Sequence, residues 1–239
     1  MTELLFQQDS YLKEFEAEII EISEDSIVLN KTAFSPRGGG LTSDQGVIIF
    51  EDGSQSDVLD VLSRSGKVFH KLSSIPKEEH IGKTVRGILD WERRHKQMRL
   101  HTLLHAISSI LYKKYGTTVT GGNITPEKSR VDFDIDHLRQ ERVHEIETAI
   151  KEIIAGDHKV YVSFLERKEA LSDPELIRTK VNLIPESMKI LRIVEIENVD
   201  RQADGGVHVG STKEIGSFVP LKTENRGKDK KRLYFTVSP

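Results

Sequence analysis

The sequence predicts an α+β protein: a small N-terminal β-barrel domain, then a domain with helices packed on a mainly antiparallel sheet. Three observations predict this fold class. Short apolar runs separated by turn residues fill residues 1–88, a pattern typical of a small barrel or curled sheet. A helical period begins near Asp90. Strand-like runs then lie between and after two predicted helices, so we expect domains at 1–88 and 89–239.

The N-terminal strands are predicted from apolar runs in "EFEAEIIEISEDSIVLNKTAF", "VIIFEDGSQSDVLDV", "KVFHKL" and "KTVRGILDW". In the second of these segments, two strand-like runs flank Asp52 and Gly53. An Asp-Gly pair between apolar runs favours a tight hairpin turn. The segment therefore predicts two antiparallel neighbours in the barrel.

Two helices are predicted in the second domain. Asp90 is a suitable N-cap for a helix that starts at Trp91 and stops at Gly116, with apolar residues at positions 100, 103, 104, 107, 110 and 111. A second helix fits "HLRQERVHEIETAIKEIIAGD" and stops at Gly156. The strand candidates around these helices are "SRVDFDI", "KVYVSFLER", "KILRIVEIENV" and "RLYFTV".

The composition excludes several classes of function. The 239 residues include no cysteine, which rules out disulfides, thiol nucleophiles and thiolate metal ligands. A net charge of −3 argues against a basic nucleic-acid binder, although "WERRHKQMR" and "RGKDKKR" are locally basic. No apolar run approaches the roughly 20 residues that span a bilayer. The acidic N-terminus does not resemble a signal peptide, so we expect a cytoplasmic protein.

A candidate metal site combines two segments of the chain. His101 and His105 are four residues apart on the first predicted helix, so their side chains share one face. "DGGVH" adds Asp204 and His208 around two glycines that allow a tight bend. Three imidazoles and a carboxylate suit a four-coordinate site of the zinc type. The alternative is a surface histidine pair and an ordinary turn.

Other polar segments carry weaker signals. Gly38, Gly39 and Gly40 suit close approach of the backbone to a ligand, or else a flexible hairpin tip. No Walker phosphate loop follows them, and no Gly-x-Ser-x-Gly sequence is present. The residue that handles the proton in any reaction is therefore not identified. The run "RGKDKKR" is either a solvated loop or a phosphate contact.

Taken in order, these segments resemble the free-standing alanyl-tRNA editing proteins of the medium-length class. "FSPRGGGLTSDQG" is similar to the family's Gly-Gly-Gly-Gln motif, and "RRHKQMRLHTLLHAI" to its His-x-x-x-His helix. "TGGNITPEKSRVDFD" resembles the segment that follows, "ADGGVHVGSTKEIG" the Cys-Gly-Gly-Thr-His motif, and "GKDKKRLYF" the closing strand. The resemblance runs nearly end to end.

The resemblance implies a barrel followed by an editing domain like that of alanyl-tRNA synthetase. It implies hydrolysis of the ester in mischarged tRNA(Ala), typically Ser-tRNA(Ala) and also Gly-tRNA(Ala). It also implies a metal held by His101, His105, Asp204 and His208. Asp204 stands where the family has Cys, so the metal is zinc or another divalent ion. Two further departures, Leu41 for Gln and Val207 for Thr, leave the substrate range open.

The expected partner is the acceptor end of tRNA(Ala), with neither DNA nor a membrane involved; the sequence leaves the oligomeric state open. The residues expected to bind substrate or tRNA are Gly38, Gly39, Gly40, Thr120, Gly121, Arg93, Arg94, Lys96, Arg130, Lys228, Lys230, Lys231 and Arg232. Two alternative functions remain at this stage. One is a relative that binds tRNA without cleaving it, and the other is a metal-dependent hydrolase of small esters or amides.

Overall fold

A computed structural model describes residues 1–136, 138–177, 188–227 and 230–239. These residues form two compact units, 1–95 and 96–239. The predicted fold class is confirmed, because the first unit contains a closed barrel and the second contains antiparallel sheets with helices. The domain boundary between residues 88 and 89 stays a prediction. Within the described ranges, no helix combines the length and the apolar character that crossing a membrane requires.

The first unit is built around a six-stranded barrel in the order β2-β3-β7-β6-β5-β8, and its neighbouring strands are antiparallel. In β2 the side chains of Phe15, Ala17 and Ile19 are buried and alternate with exposed glutamates, the period of a strand with one face on a core. The strands of the unit are β1 (Glu3–Leu4), β2 (Glu14–Ile22), β3 (Ser26–Leu29), β4 (Lys31–Thr32), β5 (Gly46–Phe50), β6 (Gln55–Arg64), β7 (Lys67–Leu72) and β8 (Thr84–Leu89).

The hairpin predicted around Asp52 and Gly53 joins β5 to β6. Gly53 has φ +82°, in the region that favours glycine, and the Asp52 carboxylate accepts a hydrogen bond from the Ser54 amide at 2.9 Å. Gly46, at the start of β5, has a different role. A Cβ atom there would lie 2.1 Å from the Ile88 carbonyl oxygen, so the barrel packs too closely for any other residue.

His70 is a buried histidine in the barrel. Its Nε2 lies 2.8 Å from Thr32 Oγ1, and its Nδ1 lies 3.3 Å from the Ile27 carbonyl oxygen. Burial lowers the pKa of His70 to about 4, although the bond to the Ile27 carbonyl opposes the shift. The ring is therefore neutral in the folded barrel at neutral pH.

This pKa predicts a pH-dependent stability of the first unit. As pH falls from 7.5 to 5, the unfolded chain takes up a proton at His70 before the folded barrel does, so stability falls. The expected loss is about 2 kcal/mol in this window. It can be measured from urea unfolding followed by Trp91 fluorescence, since Trp91 is the single tryptophan and lies in this unit. A His70→Gln variant should lose most of this dependence. An equal slope in both proteins would contradict the role of His70.

The first predicted helix is present as α1 (Trp91–Tyr115). Asp90 caps it as predicted, because its carboxylate accepts a hydrogen bond from the Arg93 amide at 3.1 Å. Gly116 follows the helix with φ +62°. Burial extends beyond the predicted apolar stripe. Polar side chains are buried as well, among them His101, Thr102 and His105.

The second unit holds a four-stranded sheet in the order β14-β15-β10-β9 and a three-stranded sheet in the order β11-β12-β13. Helix α2 packs against β14. The elements after α1 are β9 (Val119–Asn123), β10 (Ser129–Asp134), α2 (Gln140–Ala155), β11 (Val160–Glu166), α3 (Arg167–Ser172), β12 (Ile190–Ile196), β13 (Asp200–Ala203), β14 (Ser217–Asn225) and β15 (Lys230–Ser238).

Candidate metal centre

Helix α1 supplies two of the four predicted metal ligands. His101 and His105 are one helical turn apart and both buried, with ring centroids 5.0 Å apart. A buried imidazole needs a hydrogen-bond partner or a ligand for each ring nitrogen. Each ring uses Nδ1 for a protein contact: His101 Nδ1 lies 3.3 Å from the Val207 carbonyl oxygen and His105 Nδ1 lies 3.0 Å from Asp200 Oδ2. Their Nε2 atoms approach Asp204 instead.

The loop after β13 supplies the other two predicted ligands, Asp204 and His208. The Gly206 amide donates to Asp204 Oδ1 at 2.6 Å, which closes a tight turn. A Cβ atom on Gly206 would lie 2.7 Å from His101 Cε1, so a glycine is required for the loop to approach the helix. The buried Arg192 fixes the same turn, because its Nη1 donates to the carbonyl oxygens of Asp204 at 3.0 Å and Gly206 at 2.8 Å.

The spacing of the four side chains fits one metal ion. Asp204 Oδ2 lies 3.5 Å from His101 Nε2 and 3.7 Å from His105 Nε2, and Asp204 Oδ1 lies 3.3 Å from His208 Nε2. The ligand atoms of the group all lie within 4.8 Å of one another. Four ligands at about 2.1 Å around a tetrahedral zinc ion stand about 3.4 Å apart. The cluster could therefore hold a divalent metal through three nitrogens and one oxygen.

The electrostatics of the cluster also suit a cation. Burial alone would raise the pKa of Asp204, but the three surrounding imidazoles outweigh it and hold that pKa well below its ordinary value. Burial lowers the pKa of His101 to about 4 and the pKa of His208 well below its ordinary value. Burial opposes protonation of His105 too, but its hydrogen bonds to Asp200 and Asp204 raise its pKa to about 9. An ionised carboxylate thus lies among imidazoles that mostly favour the neutral form.

The predicted glycine loop ends in a tight turn. Gly38 and Leu41 exchange backbone hydrogen bonds of 3.1 and 2.9 Å, and Gly39 and Gly40 have φ of +58° and +90°. A Cβ atom on Gly38 or Gly39 would meet nothing within 4 Å, so the tip is open. Leu41, which stands where the family has Gln, is buried. Its apolar side chain therefore packs inside and presents no amide.

Two of the predicted tRNA contacts are buried cations. Arg94 is fully buried, and its guanidinium donates to Asp44, to the Ala33 carbonyl and to the Ser10 carbonyl. Lys231 is buried with its Nζ 3.0 Å from the Gly227 carbonyl oxygen. A phosphate contact needs an accessible charge, so the burial of Arg94 and Lys231 argues against these two contacts, and their assignment to tRNA stays a prediction.

The remaining predicted contacts are more accessible. Arg130 and Arg232 both pair with Asp132 on the outward side of β10 and β15, at 2.9 and 2.6 Å. Lys230 is exposed, whereas Arg93, Lys96, Thr120 and Gly121 are partly buried, the last two lying on β9. Lys228 lies outside the described residues. Their assignment to tRNA stays a prediction.

Sequence reasoning missed the residues that surround the cluster. Asp200 and Thr102 contact ligand imidazoles, and Arg192 holds the loop. The position of Thr102 between the two helical histidines could have indicated from the sequence that it lies near the cluster. Asp200 and Arg192 are brought to the cluster by pairing of β12 with β13, which spacing along the chain does not reveal.

Restoring the family's cysteine should change the affinity of the cluster for metal. We expect Asp204→Cys to bind zinc about 10-fold or more tightly than the natural protein, because a thiolate is the softer ligand. Asp204→Asn keeps the shape of the side chain but removes its charge, and it should bind zinc more weakly. Competition with a chromophoric chelator measures all three proteins. Unchanged affinity in Asp204→Asn would remove Asp204 from the site.

Two family profiles match parts of the chain. Residues 191–234 match the threonyl and alanyl tRNA synthetase second additional domain. The matched range includes Asp204 and His208. Residues 6–93 match the class II (A) tRNA synthetases. The chain is also 37% identical to the alanine–tRNA ligase of Methanococcus maripaludis, over 99% of this chain and 26% of the ligase.

Other relatives match this chain along their whole length. The chain is 41% identical to the alanyl-tRNA editing protein AlaX-M of Saccharolobus solfataricus over 100% of both chains. It is 35% identical to the protein of the same name from Methanosarcina acetivorans, over 99% of both chains. Identity at this level over whole chains leaves no segment outside the relationship, and the chain belongs to the family of alanyl-tRNA editing proteins of the AlaX-M type.

Proposed function

We propose that this protein is a trans-editing hydrolase that cleaves the ester between a wrong amino acid and tRNA(Ala). Its main substrate is Ser-tRNA(Ala), and Gly-tRNA(Ala) is a second one. The observation that carries this proposal is the cluster of three buried histidines and the partly buried Asp204, drawn from two distant segments of a chain in the editing family. Such a cluster is costly to bury and has a clear use when it binds a cation.

An editing hydrolase answers a physical problem of amino-acid selection. Serine exceeds alanine by one hydroxyl and glycine lacks its methyl group, and such small differences give a single pocket little discrimination. A second site that hydrolyses the wrong ester removes the error after it is made. The protein would act on released aminoacyl-tRNA, because the relatives that it matches along their whole length are named as alanyl-tRNA editing proteins and not as ligases.

We propose zinc as the resident metal, held by His101, His105, Asp204 and His208. When bound, the metal supplies Lewis acidity and a fixed positive charge that orients the terminal adenosine and the aminoacyl group. The chain itself buries the three histidines and leaves Asp204 partly exposed. Gly206 has no side chain, which lets the loop lie close to α1. Val207, at the position of the family's Thr, is fully buried, and its carbonyl oxygen faces His101. The Val207 side chain therefore offers no hydroxyl at this buried position.

Deacylation of tRNA(Ala) tests the proposal. Purified protein is mixed with tRNA(Ala) charged with serine, glycine or alanine, and the loss of each ester is followed. We expect rapid loss of serine and slower loss of glycine, with alanine spared. A free seryl ester serves as a control, because equal cleavage of it would favour a hydrolase of small esters. Tight tRNA binding without release of any amino acid would instead identify a binding protein without activity.

Salt dependence tests the predicted contacts with the tRNA backbone. Each cation that neutralises a phosphate releases counterions, so affinity should fall steeply with salt. We expect Lys96→Ala and Lys230→Ala each to reduce the slope of log affinity against log salt by about 1. The control is Lys151→Ala, an exposed lysine that pairs with Glu147 on α2. A slope that neither variant changes would remove these lysines from the contact surface.

A further inference from the structure

Each ring of the histidine cluster has a protein partner on the side away from Asp204. The Nδ1 atoms of His101, His105 and His208 lie 3.3, 3.0 and 3.1 Å from the Val207 carbonyl oxygen, Asp200 Oδ2 and Thr102 Oγ1, respectively. The opposite nitrogen, Nε2, approaches Asp204 in all three rings. The partners are therefore placed to determine which nitrogen of each ring carries hydrogen.

For two of the rings the chemistry of the partner fixes the answer. A carbonyl oxygen and a carboxylate only accept hydrogen bonds, so Nδ1 of His101 and Nδ1 of His105 must donate. In a neutral ring this leaves the lone pair on Nε2, the nitrogen that faces the cluster. Asp200 is itself held, because its Oδ2 also accepts a hydrogen bond from Gln202 Nε2 at 2.7 Å, and its side chain is 1% exposed.

For His208 the partner is a hydroxyl, which can donate or accept. Thr102 Oγ1 lies 3.0 Å from the Met98 carbonyl oxygen, to which it donates, and it accepts from the Val209 amide at 3.3 Å. One acceptor position of the hydroxyl then remains, and His208 Nδ1 occupies it as a donor. With this assignment every hydrogen-bonding position of Thr102 Oγ1 is filled. The Nε2 lone pair of His208 again faces Asp204.

We propose that Asp200 and Thr102 are positioning residues of the metal centre, which hold His105 and His208 as Nδ1–H tautomers with their Nε2 lone pairs directed at the metal. This inference rests on the metal site of the proposed function and extends it to two residues that touch neither metal nor substrate. Asp200 acts through charge, since it makes the imidazole of His105 a stronger donor to a cation. Thr102 acts by geometry, because its hydroxyl accepts a hydrogen bond from His208 and so favours the Nδ1–H tautomer of that ring.

Zinc affinity of the full chain tests the two residues. Removing the hydrogen-bond partner of a ligand histidine typically weakens metal binding by about 10–100-fold. We expect Asp200→Ala and Thr102→Val each to lose zinc affinity by a factor in this range. Asp200→Asn should lose less affinity, because the side-chain carbonyl of asparagine can still accept the hydrogen bond from His105. Thr102→Ser keeps the hydroxyl and should bind zinc within about 2-fold of the natural protein. The control is Thr117→Val, which removes another buried hydroxyl, one that donates to the Asp134 carbonyl.

Nitrogen NMR of the zinc-loaded protein gives a readout that mere loss of folding would not mimic. With ¹⁵N-labelled histidine, the His105 and His208 rings should each show a protonated Nδ1 in slow exchange with water and a metal-bound Nε2. In Thr102→Val the Nδ1 proton of His208 should exchange faster, whereas Thr102→Ser should restore it. Zinc coordinated through Nδ1 in either ring would overturn the proposal.

The outcomes separate this inference from the proposed function. If the natural protein edits and binds zinc, but Asp200→Ala, Thr102→Val and Thr117→Val all bind zinc as tightly, the positioning role is wrong and the metal site stands. If the natural protein binds no divalent metal, the proposed metal site is wrong and the positioning role falls with it. If zinc affinity follows the hydroxyl of Thr102 but no ester is cleaved, the positioning role stands and the editing activity is wrong.

Discussion

Replacing His105 with alanine is expected to weaken zinc binding at least about 100-fold and to reduce deacylation of Ser-tRNA(Ala) by a similar factor. The reason is that each ligand contributes its own share of the free energy of zinc binding. Structural zinc sites bind with about 10–16 kcal/mol, so each of four ligands contributes roughly 3 kcal/mol, and each 1.4 kcal/mol is a factor of ten. His105 also lies between two carboxylates, since its Nδ1 contacts Asp200 and its Nε2 faces Asp204. Its loss leaves Asp200 buried without this donor, which adds to the effect.

Zinc content after dialysis and single-turnover deacylation measure the two effects separately. The matched control is His144→Ala, a histidine that is exposed on α2 in the same unit and should change neither quantity. Raising the zinc concentration should restore part of the activity of His105→Ala, because three ligands remain. Full activity in a variant that retains no zinc would show that ester hydrolysis proceeds without the metal, and the proposed role of the cluster would be wrong.

The ligand cluster could be predicted from the sequence because its signals are local. His101 and His105 are spaced by one helical turn, and Asp204 and His208 flank two glycines. The convergence of the two segments depends on tertiary structure, and the resemblance to a known family was needed to join them. Asp200 lies four residues before Asp204, yet nothing in that spacing shows that it contacts His105. The hydrogen-bond partners of the ligand histidines depend on how the strands and helices pack, and sequence periodicity does not reveal this packing.

The fold was predictable where the apolar residues form a clear pattern. The barrel strands lie where apolar runs between turn residues predicted them, and α1 lies where apolar residues recur at helical spacing. In the second unit, strands β9, β13 and β14 were missed. β9 contains Gly121 and Gly122 and has no fully buried residue, so it carries no alternating signal. β14 contains Pro220, which is tolerated because β14 is an edge strand with an irregular register at that point.

The basic residues show where composition misleads. In the run "WERRHKQMR", Arg93 and Arg94 are indistinguishable by sequence. Arg93 remains partly accessible and donates from Nε to the Ser43 carbonyl, whereas Arg94 is fully buried. Asp44 explains the difference. This residue of the glycine motif is also buried, and it forms an ion pair with Arg94 while accepting a hydrogen bond from the Ser35 amide at 2.6 Å. The motif's acidic residue therefore has a structural role in the first unit.

Replacing Arg94 with methionine is expected to destabilise the first unit by about 3–5 kcal/mol, because it leaves the Asp44 carboxylate buried without its cation. The carbonyl oxygens of Ser10 and Ala33 lose donors as well. Urea unfolding followed by Trp91 fluorescence measures the change, since Trp91 lies in the same unit. Arg93 is partly accessible and its guanidinium donates to the Ser43 carbonyl, so Arg93→Met should cost less than about 1 kcal/mol and serves as the control.

A double variant separates the buried charge from the loss of packing. Arg94→Met combined with Asp44→Asn removes both charges, so the desolvation cost of an unpaired carboxylate disappears and part of the stability should return. Recovery of about 1–2 kcal/mol relative to Arg94→Met alone would assign the loss to charge. If Arg94→Met unfolds at the same urea concentration as Arg93→Met, Arg94 is not a structural cation, and its burial no longer argues against the predicted contact with tRNA.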